Sequence, residues 1–338
     1  TMEVAMKRGF ALFGGVVILA GLTITGCKKD DNALTSSDQA PAGVTNEQTA
    51  MANAAASDEF VTNSADVYSF GDQAMAPTDY NDGTSLSKTD TAITPLRWGR
   101  FITSVTRNIT VSVQPGDTLA YAHVTRSVSG VLKIKTTING VDSVFSKPFA
   151  DTSGKNVIFK RVAKDTKRFW LNWVPVASSL VVGGTSPVPA NSGIVITKMQ
   201  LLGGGDSVTI TDPENFWLRY KWLNLYHGGR CDVPQFATGE SISVNVTLMS
   251  QSADTDMVAL RHGFGLQSHH FARARMTLVS QTGPDVSGYY TRVYARTIVP
   301  RFGIGSFYVG VDAITKATLY GSDGPYSASW WGVPYRMF

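Results

Sequence analysis

From Arg97 onward the chain alternates apolar and polar residues with a period of two, which predicts half-buried β-strands rather than helices. Val105, Arg107, Ile109, Val111 and Val113 share one face of the first such run. Gln114-Pro115-Gly116-Asp117 then predicts a turn, because Pro presets φ and Gly accepts positive φ. The alternation resumes through Ala120, Ala122, Val124, Arg126 and Val128, and Gly130 predicts a bulge. Leu132, Ile134, Thr136 and Ile138 continue it up to Asn139-Gly140, a strong hairpin signal. Further strands are expected near 144–149, 157–162 and 169–174.

A second group of short strands follows residues 181–193, whose Gly, Pro and Ser content predicts a linker. Strands are expected at 196–201 and 208–211, on either side of a hairpin turn at Gly203-Gly204-Gly205-Asp206. Ile242, Val244, Val246 and Leu248 alternate cleanly, and strands follow around 274–278, 289–297 and 307–311. Seven to nine strands at this spacing argue for an immunoglobulin-like β-sandwich. Before the first strands, residues 46–60 predict a helix, with Thr45 or Asn46 as cap and Glu47 in the first turn. A helical start with a long curved antiparallel sheet resembles the nuclear-transport-factor-like fold. The expected fold class is therefore mainly β. An α+β domain with a curved antiparallel sheet (46–180) is joined by the linker (181–193) to an immunoglobulin-like sandwich (194–338).

The N-terminus follows another plan. Lys7 and Arg8 precede the uncharged run from Phe10 to Gly26, which ends Ile24-Thr25-Gly26-Cys27 and is followed by Lys28-Lys29-Asp30-Asp31. A basic start, an apolar middle and small residues before a cut describe a secretory signal. The run is shorter than the ~20 residues a spanning helix needs. With cysteine at the cut, it resembles a bacterial lipoprotein signal. That resemblance implies a signal peptide at 1–26, acyl chains such as palmitate on Cys27, and a flexible tether at 27–45 poor in bulky residues. Lysine and acidic residues just after the cysteine resemble the surface-export pattern of Bacteroidota lipoproteins, and the chain as a whole resembles envelope lipoproteins of such bacteria. The implied location is the outer membrane, lipid-anchored, on its surface or periplasmic face.

Composition narrows the function classes. The net charge of +4 falls by one when Lys7, Arg8 and Glu3 leave with the signal, too little for a nucleic-acid footprint. Cys231 is the only cysteine besides Cys27, so lipidation of Cys27 leaves no intrachain disulfide. His262, His269 and His270, with Asp254 and Asp256 nearby, are weak candidates for metal ligands against the alternative of a polar loop. Trp217, Tyr220 and Trp222 form a candidate ligand platform if exposed, or core if buried; Trp330, Trp331 and Tyr335 pose the same choice. No phosphate loop, EF-hand or nucleophile elbow occurs, so no cofactor and no catalytic residue are expected. The leading expectation is a non-enzymatic envelope protein with a structural, adhesion or assembly role. Its partners would be the membrane, through the lipid on Cys27, and other envelope proteins or glycans. The alternatives are a glycan or small-ligand binding module and, last, a metal-dependent hydrolase.

Overall fold

Turn chemistry and strand periodicity decide where the chain reverses. A computed structural model describes residues 45–57, 76–77, 95–138, 141–186, 193–204, 206–219, 233–264, 272–300, 304–321 and 324–338. Helix α1 (Glu47–Ser57) is followed by strands β1 (Ala76–Pro77), β2 (Pro95–Val113), β3 (Leu119–Ile138) and β4 (Val141–Arg161). Gly116 (φ 90°) and Asp117 (φ 56°) turn β2 into β3, and Asp117 N donates to Gln114 O at 3.1 Å. Ile138 at the end of β3 pairs with Val141 at the start of β4, while Asn139 and Gly140 lie outside the described residues. The expected bulge lies on the facing strand: Thr103 is the extra residue, opposite Ser129 and Gly130. A side chain at Gly130 would meet Phe101 O at 2.1 Å, so glycine is required there for close backbone approach.

Strands β5 (Trp173–Ser178), β6 (Val181–Thr185), β7 (Ile194–Gly203), β8 (Asp206–Ile210), β9 (Leu218–Arg219) and β10 (Gln235–Phe236) follow. Next come β11 (Ile242–Ser250), β12 (Met257–Phe264), β13 (Ala272–Arg275), β14 (Thr277–Thr282), β15 (Tyr290–Ile298) and β16 (Gly305–Ile314). The short helix α2 (Lys316–Tyr320) and the C-terminal strand β17 (Ala328–Met337) end the chain.

Among the described residues these strands form two sheets. One runs β1-β2-β3-β4-β6-β17-β16-β12-β13, with β5, β9 and β10 attached; the other runs β14-β15-β11-β7-β8. All pairings are antiparallel except β10 with β17. The chain crosses between the sheets after β6, β8, β10, β11, β13 and β15. The protein is mainly β, as the periodicity predicts.

Two expectations are corrected. Val181–Thr185, read as the start of a linker, is a strand in the middle of the larger sheet, bonded to β4 on one side and β17 on the other. Ala328–Met337, not read as a strand, is its neighbour. The boundary drawn at 181–193 therefore falls inside a continuous sheet, and 40–338 form one compact unit. The strands expected in the α+β domain and those expected in the sandwich share one sheet through β6 and β17.

Three apolar clusters hold the layers. Val182 and Trp331 point between the two sheets, where they meet Ile242, Val244, Val246, Leu248, Val309 and Val311. Val181 and Trp330, one residue along, point to the opposite face and meet Trp98, Leu132, Phe149, Ile314 and Leu319. A third cluster places Met51 and Ala55 of α1 over Ala120, Ala122, Val157 and Phe159. Asn46 Oδ1 caps α1 by accepting from Thr49 N at 2.8 Å. Glu47 locks it down by accepting from Trp173 Nε1 (2.9 Å), Asn172 Nδ2 (2.6 Å) and Arg161. Burial raises the Glu47 carboxyl, but these three donors outweigh burial and hold it below the usual glutamate value.

The β6–β17 junction makes a direct prediction. A Cβ at Gly183 would lie 2.4 Å from Cε2 of the paired Trp330 ring. Gly183→Val should destabilise the fold by about 2–3 kcal/mol in urea unfolding, and Trp330→Phe in that background should recover part of the loss. An unchanged urea midpoint in Gly183→Val would contradict this packing.

Candidate functional site

The larger sheet buries charge as well as apolar surface. Arg100 on β2 is fully buried and donates bidentately to Asp312 on β16, Nη1 to Oδ2 at 2.7 Å and Nη2 to Oδ1 at 3.0 Å. Arg261 on β12 donates to the same carboxylate, Nη2 to Oδ2 at 2.6 Å. Arg100 Nε donates to Tyr326 Oη at 2.8 Å, and that hydroxyl donates to Asp151 Oδ2 at 2.7 Å. Along a flat sheet, five inter-strand steps would put β2 and β16 about 24 Å apart. Contact between their side chains therefore requires the sheet to curl until its first long strand faces its sixth. Burial is the main cause that raises the Asp151 carboxyl to about 8; the Tyr326 hydrogen bond opposes it and the Asp312 charge adds to it. Burial also pushes the Tyr326 phenol well above its ordinary value.

A second buried pair pins the loop between β11 and β12. Arg292 donates to Asp256 Oδ2 at 2.6 Å and to the carbonyls of Ser252 and Ala253 at 2.7 and 3.2 Å. Ser250 Oγ donates to the other Asp256 oxygen at 2.9 Å. Burial raises the Asp256 carboxyl to about 6 against the pull of Arg292. These two clusters tie strands and a loop together through the buried hydrogen bonds just described.

The alternate residues of β4 point the other way, into a cleft of about 460 Å³. Asp151 and Lys155 are buried on the ionic face, while Thr152, Gly154 and part of the buried Ser153 line the cleft. Beside them on the same sheet stand His123 and Thr125 of β3, Val182 of β6 and Trp331 of β17, and the Asp212-Pro213-Glu214 loop after β8 completes the lining. Asn156 Nδ2 donates to the Glu214 carbonyl at 3.4 Å, which turns its Oδ1 toward His123 Nδ1 at 2.7 Å. That arrangement makes Nδ1 the donor in the neutral ring and leaves Nε2 as an acceptor. Gly154 keeps the centre open; a Cβ there would lie 3.5 Å from both Glu214 Oε1 and His123 Cε1. Asp212 is occupied by its own turn, accepting from Asn215 N at 3.2 Å and Asn215 Nδ2 at 2.8 Å.

The sequence-predicted site residues fare differently. Trp217 is half-buried beside the buried Leu218, while Tyr220 and Trp222 lie outside the described residues. Trp330, Trp331 and Tyr335 are buried, so the C-terminal aromatics are core. His262 is partly buried, and desolvation together with the Arg296 charge lowers its value. His269 and His270, as well as Cys27 and Cys231, lie outside the described residues. Asp256 is committed to Arg292, and Asp254 is exposed with Lys316 Nζ 3.6 Å away, so neither carboxylate is directed to His262. Among the described residues no group of three or more His, Cys, Asp and Glu is arranged to hold a metal ion. No helix among them is long and apolar enough to cross a membrane.

His123 and Glu214 were not singled out from sequence. His123 reads there as one polar position of an alternating strand, and Glu214 as a loop carboxylate. No protein-family model, curated protein or solved structure matches the chain.

Asp151 supplies the pH prediction for this region. Its folded value is raised above the unfolded 3.8, so between pH ~4 and ~8 the folded chain holds a proton that the unfolded chain has released. The resulting stability is complete below pH ~4 and is lost as pH rises through about 8. Asp151→Asn should therefore gain on wild type by on the order of 1 kcal/mol per pH unit between pH 5 and 8 in urea unfolding. A mutant-to-wild-type difference that does not change with pH would refute a protonated Asp151.

Proposed function

We propose that this chain is a non-enzymatic lipoprotein of the bacterial envelope, held to the outer membrane through acyl chains on Cys27, with a structural, adhesion or assembly role. The observation that carries this reading is the Ile24-Thr25-Gly26-Cys27 ending of the uncharged run, with Lys28-Lys29-Asp30-Asp31 directly after it. Two or more acyl chains at one residue give stable anchoring, because each buried CH₂ contributes about 0.8 kcal/mol. The rest of the chain suits display from such an anchor. Helix α1, the first described element, is clamped through Glu47 to Arg161, Asn172 and Trp173, so a pull on the tether is passed directly into the sheet.

The sandwich is read here as immunoglobulin-type. Its strand order supports this: β7-β11-β15-β14 face β13-β12-β16-β17. With β7 as strand A and β11 as B, these become A-B-E-D opposite C-F-G, with β13 an added strand beside C and β8 an added strand beside A. The chain crosses between sheets at the corresponding points. Strand G, here β17, is also the seam to the N-terminal strands, so the sandwich is not an isolated module.

Labelled palmitate should enter the wild-type chain in a bacterial host, and Cys27→Ala should abolish the label and release the protein from membranes. Labelling that persists in Cys27→Ala would overturn the anchor.

A further inference from the structure

A cleft lies against the face of β4 that carries Thr152 and Gly154, and its chemistry selects among ligands. Its volume of about 460 Å³ falls within the usual ~300–1,000 Å³ for small-ligand sites. Among the described residues no Lys or Arg lines it. An anionic ligand such as a phosphate would meet the Glu214 and Asp212 carboxylates without a compensating cation. The side-chain groups at the cleft are acceptors, Glu214, Asp212 and His123 Nε2, or hydroxyls that both donate and accept, Thr125, Thr152 and Thr211 among them. Among the described residues the Glu214 carboxylate accepts no hydrogen bond, whereas Asp212 is satisfied within its own turn. Val182, Pro213 and Trp331 add an apolar wall. A ligand that fits must be rich in hydroxyl donors along one edge, apolar across one face and without negative charge.

We propose that this cleft binds one neutral sugar residue. Glu214 and His123 Nε2 take the hydroxyl protons on either side of Gly154, and Thr125 and Thr152 bond the remaining oxygens. The apolar wall takes the C–H face of the ring. A compact ammonium group would use the carboxylate but not the hydroxyls or the wall, and would lose its strong hydration on entry. The site does not depend on the lipid anchor: an unlipidated chain would still carry it.

The test uses the full chain purified in detergent. Methyl glycosides of glucose, galactose and mannose, together with N-acetylglucosamine, are titrated by saturation-transfer-difference NMR. At least one should bind saturably. Glu214→Ala and Gly154→Val should each weaken it by about tenfold or more, with the circular dichroism spectrum and thermal midpoint unchanged. Gly154→Ala, whose Cβ makes only ordinary contacts at 3.5 Å, provides a milder block of the same space. The proposal is overturned if none of the four sugars binds, if binding survives both Glu214→Ala and Gly154→Val, or if propylamine binds in their place. None of these outcomes bears on palmitate labelling of Cys27, so the two readings fail separately.

Discussion

One carboxylate, that of Asp312, holds two buried guanidinium groups, and the shape of the larger sheet depends on it. Arg100 is among the largest fully buried side chains of the molecule. A charge removed from water costs several kcal/mol unless it is paired and hydrogen-bonded. Arg100 satisfies that condition only when β2 lies against β16, because its partners are Asp312 and Tyr326. A flat sheet would strand the arginine far from both. The curl also brings Trp98, Phe149, Leu319 and Trp330 into one cluster, so apolar burial and ion pairing favour the same geometry.

The same curl explains how one strand serves two environments. Strand β4 sends Asp151 into the closed interior and Thr152 and Gly154 into the cleft. Interior pairing fixes the strand's rotation about its axis, and that rotation aims the cleft wall. The other wall comes from the Asp212–Glu214 turn, tied back through Asn156 to His123. The cleft therefore sits where strands of the N-terminal half meet the sandwich, and it exists only because the two halves share β6 and β17.

Much of this architecture is legible in the sequence, and the failures have physical causes. Ile242 to Leu248 alternate because one face of β11 is core and the other is less buried, and its observed burial follows that alternation. Gln114-Pro115-Gly116-Asp117 and Asn139-Gly140 announce their reversals through local backbone preference alone. Strand β17 escapes because both faces of its middle are buried, so Trp330–Tyr335 is an apolar run that includes Gly332 and Pro334, without the period of two. Strand β6 escapes because Gly183 and Gly184 look like linker residues. Their small size instead admits Trp330 and the backbone near Ala328. Missing these two neighbours produced a false domain boundary. Asp312 was the overlooked hint: an acid inside Val309-Gly310-Val311-Asp312-Ala313-Ile314 signals a buried charge that needs a partner. The cleft gave no such hint, since His123 and Glu214 meet only through tertiary structure.

A double-mutant cycle on Arg100 and Asp312, read by urea unfolding, tests this view most directly. Arg100→Met alone removes one partner, and Asp312→Asn alone leaves two guanidinium groups without their counter-charge. Each should cost about 3–5 kcal/mol, and the double mutant should cost much less than their sum. Small losses that simply add, each below about 1 kcal/mol as for exposed ion pairs, would contradict the claim that this buried carboxylate holds the sheet in its curl.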